Sequence, residues 1–251
     1  MNSAKIKTIQ REMKVLSTAL REEFGLSSKE PVNINAIINR KVIIASFKPL
    51  EDNFSGMSVR LASKDGAEHL FMLINTAQSV GKQRFTACHE LYHLLYQDKF
   101  EISANNAGLF DQADEQEYRA DVFAASLLIP ESGLDALIPA KEVSKDKISL
   151  ETILLLEHTF QCSRSTLLRS LKERQLISSE KYNTYCHNVM RGALEYGYDL
   201  SLYKPNNTVA LMGDYNIKAR KLLDSGKISL ARYQELLDDM GLDRDVSDEH
   251  E

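Results

Sequence analysis

The sequence predicts an α+β fold: a small twisted sheet packed on a pair of helices, followed by an all-helical C-terminal region. β-prone runs cluster before residue 77, helical periodicity takes over from residue 83, and no internal repeat or low-complexity linker interrupts either part. At 251 residues the chain is long enough for one large domain or two modest ones. Gly, Pro and charged residues cluster around 132–148, which places a boundary between a first region, 1–140, and a helical second region, 141–251.

Residues 4–24 open as an amphipathic helix, because Ile6, Ile9, Met13, Leu16 and Leu20 recur at helical spacing with Lys and Arg between them. After the GLSSKE break and Pro31, VNINAIINR reads as a short helix capped near Asn33. KVIIASF, FSGMSVRLA and HLFMLINT read as three strands separated by the turn-forming PLEDN and SKDGAE. The second alternates at Met57, Val59 and Leu61, and the third is nearly continuous, as suits a strand covered on both faces. From Gln83 to about Tyr96 the pattern is helical through Phe85, Cys88, Leu91, Tyr92 and Leu95. The polar loop NNAGLFDQADEQ leads to a second helix from about Glu115 to Ile129, which Pro130 stops. Beyond Pro139 the reading is helical throughout. It contains a helix-turn-helix-like pair at 150–174 and a hairpin over 214–240 turning at SGK, and it ends in an acidic tail, DRDVSDEHE, whose composition reads as disordered.

Hydrophobic residues make up 43% and charged residues 27%, the mixture of a folded soluble protein. A net charge of -5 gives no global basic field to attract nucleic acid. Three scattered cysteines, Cys88, Cys162 and Cys186, do not make a disulfide framework and point to a reducing cytoplasm. The N-terminal MNSAKIKTIQREMK lacks the apolar stretch of a signal peptide, and no apolar run approaches a membrane span.

The chemistry concentrates in RFTACHELYHLLY. Histidines four apart on a helix lie only ~40° apart around its axis, one turn above each other, so His89 and His93 can reach one ion. Glu90 follows the first histidine and projects beside that ion, where it can take a proton from water. A bare H-E-x-x-H also arises by chance, with both histidines serving as packing or surface residues. A catalytic zinc needs three protein ligands and an open position. The second helix, EYRADVFAASLLIP, supplies a candidate: Glu117 and Asp121 share one face at i,i+4. Glu117 is assigned as the third ligand. Asp121 is assigned as the group that accepts a hydrogen bond from a ligating histidine and fixes its tautomer. The competing reading of this pair is a solvated acidic face.

RFTACHELYH followed by E-x-x-A-D-x-F-A-A-x-L-L-I-P resembles the ImmA/IrrE family of metallopeptidases, over about residues 30–175. The resemblance implies a zincin-like core over 1–140, zinc held by His89, His93 and Glu117, and Glu90 as the catalytic base. Two positions depart from the family pattern: Tyr92 stands where glycine is common, and Asp121 where asparagine is frequent. The resemblance also implies a protein substrate, such as a helix-turn-helix repressor or a stress-response regulator.

Tyr92, Tyr118 and His158 are candidates for stabilising an oxyanion, with ordinary packing as the alternative for each. HLFMLINT, just before the metal helix, is the expected edge along which an extended substrate would pair. In the 150–174 pair, Arg164, Arg169, Lys172 and Arg174 make the second helix basic, as a DNA-reading helix is. The alternative, a structural pair that braces the core, is favoured by the acidity of the whole chain. Cys88 points ~100° away from His89 and is expected in the core. The leading function is a site-specific zinc endopeptidase. The second is a DNA- or protein-binding regulator built on a peptidase-like scaffold, and the intact glutamate after His89 favours the enzyme.

Overall fold

The computed structural model describes residues 1–41, 43–51, 54–63, 66–98, 102–105 and 107–239, with the side chains of 102–105 and 239 outside that description. The acidic tail expected at 243–251 lies outside the described residues.

Helix α1 (Ser3–Glu23) starts where the Asn2 side chain accepts from the Lys5 amide, and it buries Ile9, Met13 and Leu20 along one stripe. Short α2 (Ile34–Arg40) is capped by Asn33, as its sequence suggests. The strands β1 (Ile43–Lys48), β2 (Gly56–Ala62) and β3 (Glu68–Asn75) follow. Next come α3 (Val80–Leu95), β4 (Ile102–Asn105) and α4 (Glu115–Leu128). Asp114 caps α4 by accepting from the Gln116 and Glu117 amides, and the helix ends before Pro130.

The remaining elements are α5 (Glu131–Leu137), α6 (Leu150–Phe160), α7 (Arg164–Glu173), α8 (Ser179–Tyr185) and α9 (Val189–Glu195). They are followed by β5 (Ala210–Met212) and the hairpin α10 (Tyr215–Asp224) and α11 (Leu230–Asp239). Among the described residues, no helix is long and apolar enough to cross a membrane.

The α+β class holds, with two departures. The region after 141 is not wholly helical, because β5 pairs antiparallel with β1 through Ala45↔Met212 and Phe47↔Ala210. The strand order is β4-β2-β3-β1-β5, so β3 is a central strand rather than the expected edge. Its two sides are taken by parallel β1 and antiparallel β2, and the edges are β4 and β5. Central position accounts for the near-continuous apolar run of β3 better than an edge does.

Helix α3 is sandwiched between the sheet and α4, and residues from Phe85 to Leu94 along it are buried without a break. Ile148, Ile153, Leu156 and Phe160 belong to the same buried cluster as Leu91, Phe123 and Leu127. The core therefore runs on through 132–148, the stretch whose composition suggests a boundary. Arg21 adds a polar tie: its guanidinium, buried in α1, donates to the Leu127 carbonyl at the end of α4 at 2.8 Å.

Candidate metal centre

Helices α3 and α4 bring His89, His93 and Glu117 together, with one potential ligand atom from each within 4.8 Å of the others. His89 Nε2 and His93 Nε2 lie 3.1 Å apart. The Glu117 carboxylate spans them, with Oε2 3.2 Å from His89 Nε2 and Oε1 3.4 Å from His93 Nε2. Both histidines are buried and the Glu117 side chain is 19% exposed, so the trio meets solvent on the Glu117 side.

The other nitrogen of each ring is already committed. His89 Nδ1 lies 2.7 Å from Asp121 Oδ1, and His93 Nδ1 lies 2.5 Å from Gln97 Oε1. Both partners are acceptors, which assigns the protons to Nδ1 on each ring. Each Nε2 then turns a lone pair toward the same point, beside a carboxylate. Three electron-rich groups facing one another in a buried slot repel unless a cation sits among them. This donor set fits a divalent ion of zinc's type, whose four-coordinate preference three protein ligands leave one short.

Without a metal, a single proton serves instead. Burial pulls the His89 pKa down, but its hydrogen bonds to the Asp121 and Glu117 carboxylates and the charge of Glu90 outweigh this and push it up to about 10. Burial and the neighbouring His89 push His93 down to about 4.

Asp121 is 2% exposed, so α4 does not present it as part of a solvated acidic face. Besides His89 it accepts from the Gly108 amide at 2.8 Å and the Phe110 amide at 2.6 Å. The loop between β4 and α4 is thereby fastened to the Nδ1 side of the His89 ring. Phe110 adopts a left-handed φ of 51° in that loop, and the Arg169 guanidinium lies 3.7 Å from its ring centroid.

Glu90 is fully buried and turns toward β2, about 100° around the helix from His89. Ser58 Oγ donates to its Oε2 at 2.6 Å, while Oε1 has no hydrogen-bond partner among the described residues. Burial raises its pKa to about 7, against the opposing pull of His89 and Ser58.

Of the three oxyanion candidates, Tyr92 stands nearest the trio. Its ring packs edge-on against His93 at 5.6 Å, and its hydroxyl donates to Gln116 Oε1 at 2.9 Å. Tyr118 is buried beside Gln10, and His158 stacks on Tyr198 and meets the Tyr203 hydroxyl. Cys88 is a core residue, its thiol pushed up to about 12 by burial.

The basic side chains of α7, and Arg174 just after it, each have a partner within the chain. Arg164 pairs with buried Glu157, Arg169 covers Phe110, Lys172 lies over the Tyr182 ring, and Arg174 bonds Asp135 and the Glu131 carbonyl.

Two partners escape a motif reading. Gln97 extends the four-residue row of His89 and His93, so its spacing alone carries the signal. Ser58 comes from another strand and has no local signal.

A family model described as Peptidase_M78, IrrE N-terminal-like domain, matches residues 48–172, a stretch that begins at the end of β1 and runs into α7. Curated proteins give no match to the chain.

Proposed function

The chain belongs, through residues 48–172, to the IrrE N-terminal-like peptidase family, and on that premise we propose that it is a zinc-dependent, site-specific endopeptidase. One observation carries the reading. Two imidazole Nε2 atoms stand 3.1 Å apart beside a carboxylate, with both Nδ1 atoms committed to oxygen acceptors.

His89, His93 and Glu117 would hold the ion, and zinc bound there supplies Lewis acidity toward water and toward the scissile carbonyl. Glu90 is the general base. Its Oε1 takes a proton from the attacking water as the new C–O bond forms at the scissile carbonyl carbon; the proton then passes to the amide nitrogen, and the C–N bond breaks to release the amine. Asp121 and Gln97 keep the histidine protons on Nδ1, so neither ring can turn a donor toward the cation. An extended substrate would pair along β4, the edge strand whose following loop is fastened to Asp121. The substrate class is a regulatory protein such as a helix-turn-helix repressor.

The test combines metal analysis with incubation of the full chain against purified repressors encoded beside its gene. The expected result is one zinc per chain and discrete fragments of one repressor, lost on chelation. Repressors that stay intact but change their DNA binding would overturn the peptidase reading in favour of a regulator that acts by contact.

A further inference from the structure

Helix α3 lies unusually close to β2 at the metal centre. A Cβ at Gly56 would stand 2.5 Å from Thr86 Cγ2 and 3.0 Å from the Leu73 carbonyl oxygen, so only glycine permits this approach. Thr86 and Glu90 are one turn apart on the face of α3 that meets the strand. Two residues along β2 from Gly56, Ser58 points the same way and reaches Glu90 with a 2.6 Å hydrogen bond. Both side chains are fully buried.

The two carboxylate oxygens therefore differ. Oε2 is anchored to the strand; Oε1, 3.4 Å from where a Gly56 Cβ would be, has no partner among the described residues. Glu90 also stands outside the group of His89, His93 and Glu117 whose atoms gather within 4.8 Å. A buried carboxylate one residue from a ligating histidine has a strong electrostatic reason to swing onto a divalent ion. Doing so would fill the position that a catalytic site keeps open.

We infer that Ser58 is a positioning residue that holds Glu90 off the metal, keeping it a base instead of a fourth protein ligand. The inference rests on the metal reading proposed above. It has a consequence of unusual sign. Loss of an outer hydrogen bond ordinarily weakens metal binding by about 10–100-fold. Loss of the Ser58 hydroxyl should strengthen it, because a released carboxylate joins the coordination sphere.

The experiment uses the full chain as wild type, Ser58→Ala, Ser58→Thr and the double variant Ser58→Ala/Glu90→Gln, each loaded with Co²⁺ and checked for folding by circular dichroism. Visible absorption reports coordination number, since added ligands weaken the d–d bands. Ser58→Ala should lose band intensity and bind Co²⁺ more tightly than wild type. Ser58→Thr, which keeps the hydroxyl, should restore both properties. The double variant should also return to the wild-type spectrum, because the amide is a poor ligand. Cobalt bound by Ser58→Ala with an unchanged band and equal or weaker affinity overturns the inference alone. A wild-type chain that takes up no cobalt overturns the metal reading, and the role of Ser58 falls with it.

Discussion

Asp121 Oδ1 lies 2.7 Å from His89 Nδ1 and receives its proton, while the same carboxylate receives the amides of Gly108 and Phe110. One side chain thus fixes a ring and a loop together. Asp121→Asn keeps one oxygen for His89 and Gly108 but turns an amide N–H toward the Phe110 donor. It should lower zinc affinity by about tenfold, and Asp121→Ala by about a hundredfold, read by competition with a chromophoric chelator. Equal affinity in all three proteins would show that Asp121 does not orient the histidine.

Zinc uptake should depend on pH. In the metal-free protein His89 is raised to about 10, so binding must displace its proton at neutral pH. Affinity should rise about tenfold per pH unit from about pH 6.5 to about pH 9. Stability runs the other way in the metal-free chain. The His89 proton's contribution is fully present below its unfolded value of about 6.5 and is lost as pH rises through about 10. Thermal melts should show metal-free protein weakening over that window and zinc-loaded protein holding. A pH-independent affinity would rule out the bound proton.

Glu90→Gln and His93→Ala should fail differently. The amide nearly matches the carboxylate in size but cannot take a proton from water. Glu90→Gln should therefore keep zinc and the fold while cleavage falls by about 10²–10⁴-fold. His93→Ala removes a ligand and should lose zinc and cleavage together. Both are measured with a repressor substrate, zinc content and circular dichroism. Undiminished cleavage by zinc-loaded Glu90→Gln would sink the proposed mechanism.

Local spacing made much of this centre readable. His89 and His93, then Glu117 and Asp121, repeat every four residues, and a helix turns each pair onto one face. Gln97 continues the first row and could have been read in the same way. Ser58 could not, because its contact with Glu90 depends on which strand lies under α3. The Gly108 and Phe110 donors are backbone amides and carry no residue-type signal. Strands β4 and β5, of four and three residues, are too short to show a period. Strand order is set by long-range pairing, and so β3 read as an edge.

The Glu157–Arg164 pair joins α6 to α7 with side chains 0% and 5% exposed, and Tyr203 donates to Glu157 at 2.7 Å. Arg164→Ala leaves a buried carboxylate without its cation and should cost about 3–5 kcal/mol in denaturant unfolding. Replacing both partners with apolar residues of similar volume should cost less than either single change. A loss below about 1 kcal/mol for Arg164→Ala would place the pair in a solvated setting.

The pairing of Ala45 with Met212 joins residues far apart in the sequence. During synthesis β1 leaves the ribosome long before β5 exists, so its outer edge waits open while the helices between them emerge. Contacts of such high sequence separation form late and slowly. The nascent domain is therefore exposed to strand-to-strand association until residues 210–212 have been synthesised. A chain cut short before residue 210 would keep that edge open permanently and should elute from a sizing column as aggregate.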